Sequence, residues 1–342
     1  MKSSVSDLNN SVNEETNRLR KVVESKGGSM YAGSSLLRDV SDVIPARYRT
    51  TSLSENCAKG FLDISSQQIV VGISNEEAGW EIYNAMKNVN NVLIALSASS
   101  PYSIKGNSLV DTELQSRRPE QYHSICGNFP RSVWMDTPEI RSMDEFNSLL
   151  QKGSNEVLSY LHGGKLDPNW EELKKERSNG SYYPFKTLDD SQVYWLLRPR
   201  PSHETISKGG DSIMSLEFRS PDISVDFNGM HMMNRFVIGL CQYISEHGAD
   251  GVNAITQKDD FNQFLLAGKY GFNNPYVDLK KSTRALTNLA CKGLPNDEAY
   301  MLSEQVEGTI VHGNDAQKLR HRGFRSPKQL EDFLVESLRG EI

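Results

Sequence analysis

The order in which strand-like and helix-like segments occur constrains this chain most. Its clear β signals all fall before residue 220, and nearly everything after 226 reads as helix. The stretch "SSQQIVVGIS" (65–74) is short, β-branched and bounded by polar residues. A second strand signal is "SQVYWLLRPRP" (191–201), and "DSIMSLEFRS" (211–220) is the third. Between the last two, "SHETISKGGD" (202–211) has the Gly-Gly and polar content of a hairpin connection, though it is longer than a tight turn. Strands grouped ahead of helices, rather than alternating with them, predict an α+β fold with an antiparallel sheet.

The helical segments carry their own punctuation. Residues 7–26 read as a polar, amphipathic helix ended by Gly27-Gly28. Asn75 is placed to cap a helix whose first turn holds Glu76 and Glu77, where the helix dipole favours anions. Ile82, Met86, Val89, Leu93 and Leu96 follow at helical spacing until "SASSP", and a polar loop is expected from there to about 120. A mixed region with "MDEFNSLLQ" (143–151) and "SNEVLSYLHGG" (154–164) leads to the second strand. In "GMHMMNRFVIGLCQYISEHG" (229–248), Met233, Phe236, Val237, Leu240 and Ile244 share one stripe, and Gly248 ends it. Further helices are expected around 258–268, 278–291 and 296–307. A last one is marked by a Ser326/Gln329 capping box, Pro327 at its first position and Gly340 after its end.

Composition removes several classes of function. The chain of 342 residues is 37% apolar and 24% charged, which suits a globular protein. No run of apolar residues is long enough to span a membrane, and the polar "MKSSVSDLNNSVNEETNRLRK" has no signal-peptide core. Cys57, Cys126, Cys241 and Cys291 are scattered without a Cys-x-x-Cys pair, as expected of reduced thiols in a cytoplasmic protein. A net charge of −6 argues against a broad nucleic-acid surface, and "KLRHRGFR" (318–325) reads as a solvated helix end. Phosphate-loop and dinucleotide fingerprints are missing, and the seven His show no metal-ligand spacing. His231, on an apolar helix, reads as a core or interface residue.

The polar sides of the strands remain. In "DSIMSLEFRS", Met214, Leu216 and Phe218 fall on one face, and Ser215, Glu217 and Arg219 on the other. Glu217 and Arg219 then sit roughly 6–7 Å apart at Cα, and Arg198 reaches the same face if 191–201 pairs with this strand at ~4.8 Å. A carboxylate among guanidinium groups on a concave sheet suits an acidic or phosphate-bearing ligand, with Glu available to Mg²⁺ and Arg to oxyanions. The competing reading is a half-solvated strand with an ordinary surface ion pair.

Six segments, in order, resemble the type 2 glutamate–cysteine ligases, also described as carboxylate–amine ligases. "VVGIS" is similar to that family's His-x-His-Val-Gly strand, "NVLIALSASSPY" (91–102) to its Ala-Leu-Ser-Ala-x-Ser-Pro stretch, and "LQSRR" (114–118) to its Ser-x-Arg element. "VYWLLRPRP" resembles the Trp-x-x-Arg-Pro strand, "SIMSLEFRSPD" the Glu-x-Arg strand with Asp222 behind it, and "NQFLLAGKYGF" (262–272) a helix ending in Ala-x-x-Tyr-Gly. The match runs over roughly 30 to 335, so the resemblance implies one ligase-like domain over residues 1–342. It implies a glutamine-synthetase-like sheet with one face lining a cleft, flanked by helices.

The activity implied is ATP- and Mg²⁺-dependent joining of glutamate, or a similar carboxylate, to an amine such as cysteine through an acyl phosphate. On that reading Glu217 is catalytic and a metal ligand, Arg219 is catalytic, and Arg117 and Arg198 bind substrate. Two departures stand out. The family's Glu-rich first strand has no counterpart, and its paired His positions hold Gln68 and Val70. A homo-oligomer or a partner chain could supply the strand, the site could work in altered form, or the protein could be a non-catalytic binding or assembly subunit.

Overall fold

The computed structural model describes residues 5–27, 30, 32, 66–126, 138–149, 152, 196–201, 214–256 and 261–341. Helix α1 covers Val5–Ser25, and Gly27 after it has φ 76°, a left-handed conformation that suits glycine. Strand β1 is Ile69–Ile73. After it, Asn75 caps helix α2 (Glu76–Met86) by accepting from the Ala78 N–H at 3.0 Å. The helix expected to run on to Leu96 is interrupted: Lys87–Val89 is a 3₁₀ turn and α3 is Asn90–Ser97. Side-chain amides explain the break, because Asn88 donates to the Asn84 carbonyl and Asn90 to the Lys87 carbonyl, competing with the helical ladder.

The loop expected up to about 120 contains a hairpin instead. Strands β2 (Tyr102–Lys105) and β3 (Ser108–Asp111) pair antiparallel, with Lys105 opposite Ser108 across a two-residue Gly106-Asn107 connection. Helix α4 is Arg118–Cys126, and a helical segment at 143–149 matches the start of "MDEFNSLLQ". Strands β4 (Leu197–Pro201) and β5 (Met214–Phe218) follow. The "SNEVLSYLHGG" segment, residues 191–195, the 202–211 connection and Cys57 lie outside the described residues.

The α+β expectation holds at the level of class: the described chain is mostly helical with small antiparallel sheets. The main sheet has the order β1-β5-β4, so β5 is central and antiparallel to both neighbours. The Leu196 carbonyl accepts the Arg219 N–H at 2.8 Å. Even-numbered residues of β4 therefore aim their backbone groups at β5. Pro199 and Pro201 point their nitrogens outward, where an edge strand loses nothing by lacking an N–H.

Helices account for the rest: α5 (Phe227–His247), α6 (Asp250–Asn253), α7 (Phe261–Tyr270), α8 (Leu279–Lys292), α9 (Asn296–His312), α10 (Asp315–Arg322) and α11 (Pro327–Arg339). None described is long and apolar enough to cross a membrane. Gly248 ends α5 at φ 79°, as its position implied. The reciprocal capping box is at Asn314/Gln317 rather than Ser326/Gln329. Ser326 accepts from the Gln329 N–H, but the Gln329 side chain reaches the Arg325 N–H. "KLRHRGFR" is indeed a helix end, closed by left-handed Gly323.

Helices α2 and α5 pack on the sheet and bury its apolar face, with Ile69, Ile73, Leu197, Met214, Leu216 and Phe218 joining Trp80, Met233 and Phe236 in one core. Helix α8 lies against α5 through a glycine contact: a Cβ on Gly239 would meet the Ala290 carbonyl at 2.5 Å and Leu294 Cγ at 2.9 Å. Backbone cannot step aside as a side chain can. Gly239→Ala should therefore destabilise the protein by about 1–3 kcal/mol, read as a lower denaturation midpoint at unchanged slope; a neutral outcome would mean the two helices are not in contact there.

Candidate functional site

Register sets the polar face of the sheet. Val70, Glu217 and Arg198 lie in one row across β1, β5 and β4, and Gly72, Ser215 and Arg200 in the next. Arg198 Nε and its terminal amine both donate to Glu217 Oε2, at 2.8 and 2.6 Å. Arg200 Nε lies 3.2 Å from the same oxygen, at an angle that does not make a hydrogen bond. Arg198 and Glu217 are almost wholly buried, whereas the Arg200 side chain is 40% exposed.

The half-solvated strand envisaged from the sequence is thus corrected. All five residues of β5 are buried, and the ion pair is interior rather than on the surface. A lone carboxylate could not be buried there; the two guanidinium groups make it tolerable. Strict alternation survives on the edge strand β1, where Val70 is 53% exposed between buried Ile69 and partly buried Val71.

Arg219 continues the parity of Ser215 and Glu217, and its backbone is held from two sides. Its N–H donates to Leu196 O, and its carbonyl accepts from the Arg118 terminal amine at 2.6 Å. Arg118, 1% exposed, also donates to the carbonyls of Ser220 and Pro221, at 2.8 and 2.7 Å. Beyond it lies Asp222, fully buried, 3.7 Å from the same guanidinium. Asp222 accepts from the Ser99 N–H and from the Ser100 and Ser116 hydroxyls, at 3.0, 3.1 and 3.0 Å. Burial pushes its carboxyl above the usual range, with Arg118 and these hydrogen bonds opposing the rise. Together Arg118 and Asp222 fix the path of the chain as it leaves β5, which is what sets Arg219.

The sequence-derived set therefore divides. Glu217 and Arg198 come together in contact, and Arg219 follows one residue past the end of β5. Arg117 sits in a different group: its guanidinium donates to the Tyr102 carbonyl at 3.2 Å and its N–H to Ser100 Oγ at 3.0 Å. Two residues were missed, and each had a signal. Arg200 shares strand parity with Arg198 two positions earlier, and the Ser-x-Arg spacing in "LQSRR" falls from Ser116 onto Arg118 rather than Arg117.

No family model and no curated protein matches the chain. The site is therefore read from its own chemistry. Mg²⁺ wants several oxygen ligands in octahedral geometry. Here one carboxylate has an oxygen already shared by two guanidinium groups, and no group of three or more His, Cys, Asp or Glu that could hold a metal occurs among the described residues. These residues do not fit a divalent cation. The arrangement suits an anion: Arg198, Arg200 and Arg219 outnumber Glu217 by two charges, and Arg200 reaches solvent.

Proposed function

We propose that the protein binds a small carboxylate- or phosphate-bearing ligand on the polar side of the β1-β5-β4 sheet, as a binding module of ligase-like fold. One observation supports this above the others: a buried Arg198–Glu217 pair shares its carboxylate with a second, solvent-reaching arginine, Arg200. Arg200 is the group that meets the ligand, as a fork onto two oxygens. Glu217, itself paired with Arg198, lies against Arg200 and offsets part of its charge, and Arg219 adds positive charge just past the end of β5. Glutamate is the first carboxylate to try, because the six ordered segments resemble enzymes that use it.

The same segments favour a second reading, ATP-dependent joining of that carboxylate to an amine such as cysteine. ATP would phosphorylate the carboxylate, the amine would displace phosphate, and amide, ADP and phosphate would leave. Mg²⁺ would then need ligands other than the residues around Glu217.

Thermal unfolding in the presence of glutamate, inorganic phosphate or Mg·ATP separates the readings. A ligand at 100 times its Kd that binds only the native state adds about 2.7 kcal/mol. Stabilisation by glutamate or phosphate, lost in Arg200→Ala, is expected. ADP release that needs both glutamate and cysteine would move the assignment to the ligase. No shift with any of the three would overturn the binding reading.

A further inference from the structure

We infer that α1 pairs antiparallel with α1 of a second copy of this chain. Helix α1 docks on its own protein through an unusually polar contact. Asn234 donates to Asn9 Oδ1 at 2.9 Å, His231 Nε2 lies 3.0 Å from Asn13 Oδ1, and Arg339 reaches Glu24 at 2.6 Å. Of its apolar residues, Val5 is buried there. Leu8, Leu19 and Val22 are not: they are 37%, 41% and 49% exposed. At 100° per residue these three lie about 120° around the helix from the docked set Val5, Asn9, Asn13 and Glu24. The docked side thus mixes Val5 and half-buried Val23 with Asn9, Asn13 and Glu24, while the apolar flank of Leu8, Leu19 and Val22 is left outside, against what burial within one chain favours.

The outward flank has coiled-coil spacing. Leu8, Val12, Glu15, Leu19 and Val22 alternate steps of four and three, the a/d rhythm of a helix–helix seam. Glu15 is the polar position in it, and Arg18 draws it aside by pairing with it at 2.5 Å.

Charge selects the partner and its direction. Leaving aside Arg20 and Glu24, which fall on the docked side, residues 5–15 carry Asp7, Glu14 and Glu15, a net −3, and residues 16–26 carry Arg18, Lys21 and Lys26, a net +3. A second copy laid antiparallel places each acidic half on a basic half, and sets Leu8 opposite Leu19 of the other copy. A parallel copy would set like on like. The surface is complementary to itself in one orientation only.

Sedimentation equilibrium of the full chain tests this. A monomer–dimer equilibrium is expected, weakened by added salt because the charge match is solvent-exposed. The double variant Leu8→Asp/Leu19→Asp should raise the dimer Kd at least about tenfold while melting as the parent does at dilutions where both are monomeric, since neither side chain is in the core. Tyr300→Asp, at an exposed tyrosine on α9, should leave the equilibrium unchanged. A chain that stays monomeric at the highest attainable concentration overturns the inference, as does a dimer indifferent to the double variant.

Discussion

Asp222→Ala should lower the unfolding free energy by about 3–5 kcal/mol, because one member of a buried charge pair is removed and the other is left behind. Arg118 would remain 1% exposed with its cation no longer opposed. The Ser99 N–H and the Ser100 and Ser116 hydroxyls would each lose an acceptor in a site where water does not replace it. Urea denaturation at neutral pH reads the loss directly. A change below about 1 kcal/mol would mean that the network relaxes freely, contrary to the geometry.

The same residue makes a pH prediction of definite sign. Burial raises the Asp222 carboxyl above its ordinary value, so the native state holds that proton more tightly than the unfolded chain does. Its contribution is fully present below the ordinary carboxylate pKa and is lost as pH rises through the raised one. Asp222→Asn lacks this dependence but keeps the size and one acceptor. The advantage of the parent over Asp222→Asn should accordingly shrink between acid and neutral pH. An advantage that grows instead would show that Arg118 dominates burial.

His231 adds a smaller effect of the opposite sense. Burial and the neighbouring Arg235 lower its pKa, so the folded state disfavours the charged ring and stability falls as pH drops below the ordinary His value. Its Asn13 contact places that loss at the α1–α5 seam.

How much of this fold is legible in the sequence depends on what kind of information each feature needs. Caps and stops are local, and they read well: Asn75, Gly248 and Gly340 all act at the positions expected of them. The β2–β3 hairpin is also local, yet its strands "YSIK" and "SLVD" are too short and polar to stand out. Only Gly106-Asn107, with Gly106 at φ 59°, betrays it. The break at Lys87–Val89 hides for a different reason. Val89, Leu93 and Leu96 stay in phase with a continuous helix, and only the run of Asn residues marks the competing hydrogen bonds.

Pairing information is harder still. Parity alone placed Glu217 and Arg198 on one face, and the register confirms the neighbours. Parity could not say that this face is buried on β5, because burial depends on what is laid over it. Nor could it say that Arg200 would crowd the same oxygen as Arg198. The Arg118–Asp222 link joins residues 104 positions apart, so no window along the sequence contains both. What the sequence does carry is each partner separately, Arg118 in "LQSRR" and Asp222 in "FRSPD".

Glu217→Gln should change ligand affinity and stability in opposite directions, and that divergence is the sharpest discriminator between the two functional readings. Gln keeps the shape and an acceptor oxygen for Arg198 but removes the charge that offsets Arg198 and Arg200. Stability without ligand should fall, since a buried guanidinium loses its counter-charge. Anion affinity should rise. A unit charge roughly 6 Å from the ligand at an effective dielectric near 20 is worth about 3 kcal/mol. Screening at the partly exposed Arg200 reduces this to about 1.4 kcal/mol, a tenfold tighter Kd for phosphate or glutamate. Thermal shift therefore starts lower and moves further. If Glu217 were instead a metal ligand of an ATP-dependent ligase, the same change would leave anion affinity flat or weaker and abolish ADP release. A carboxylate already gripped by two arginines favours the first outcome, because its charge acts to restrain their field rather than to recruit a cation.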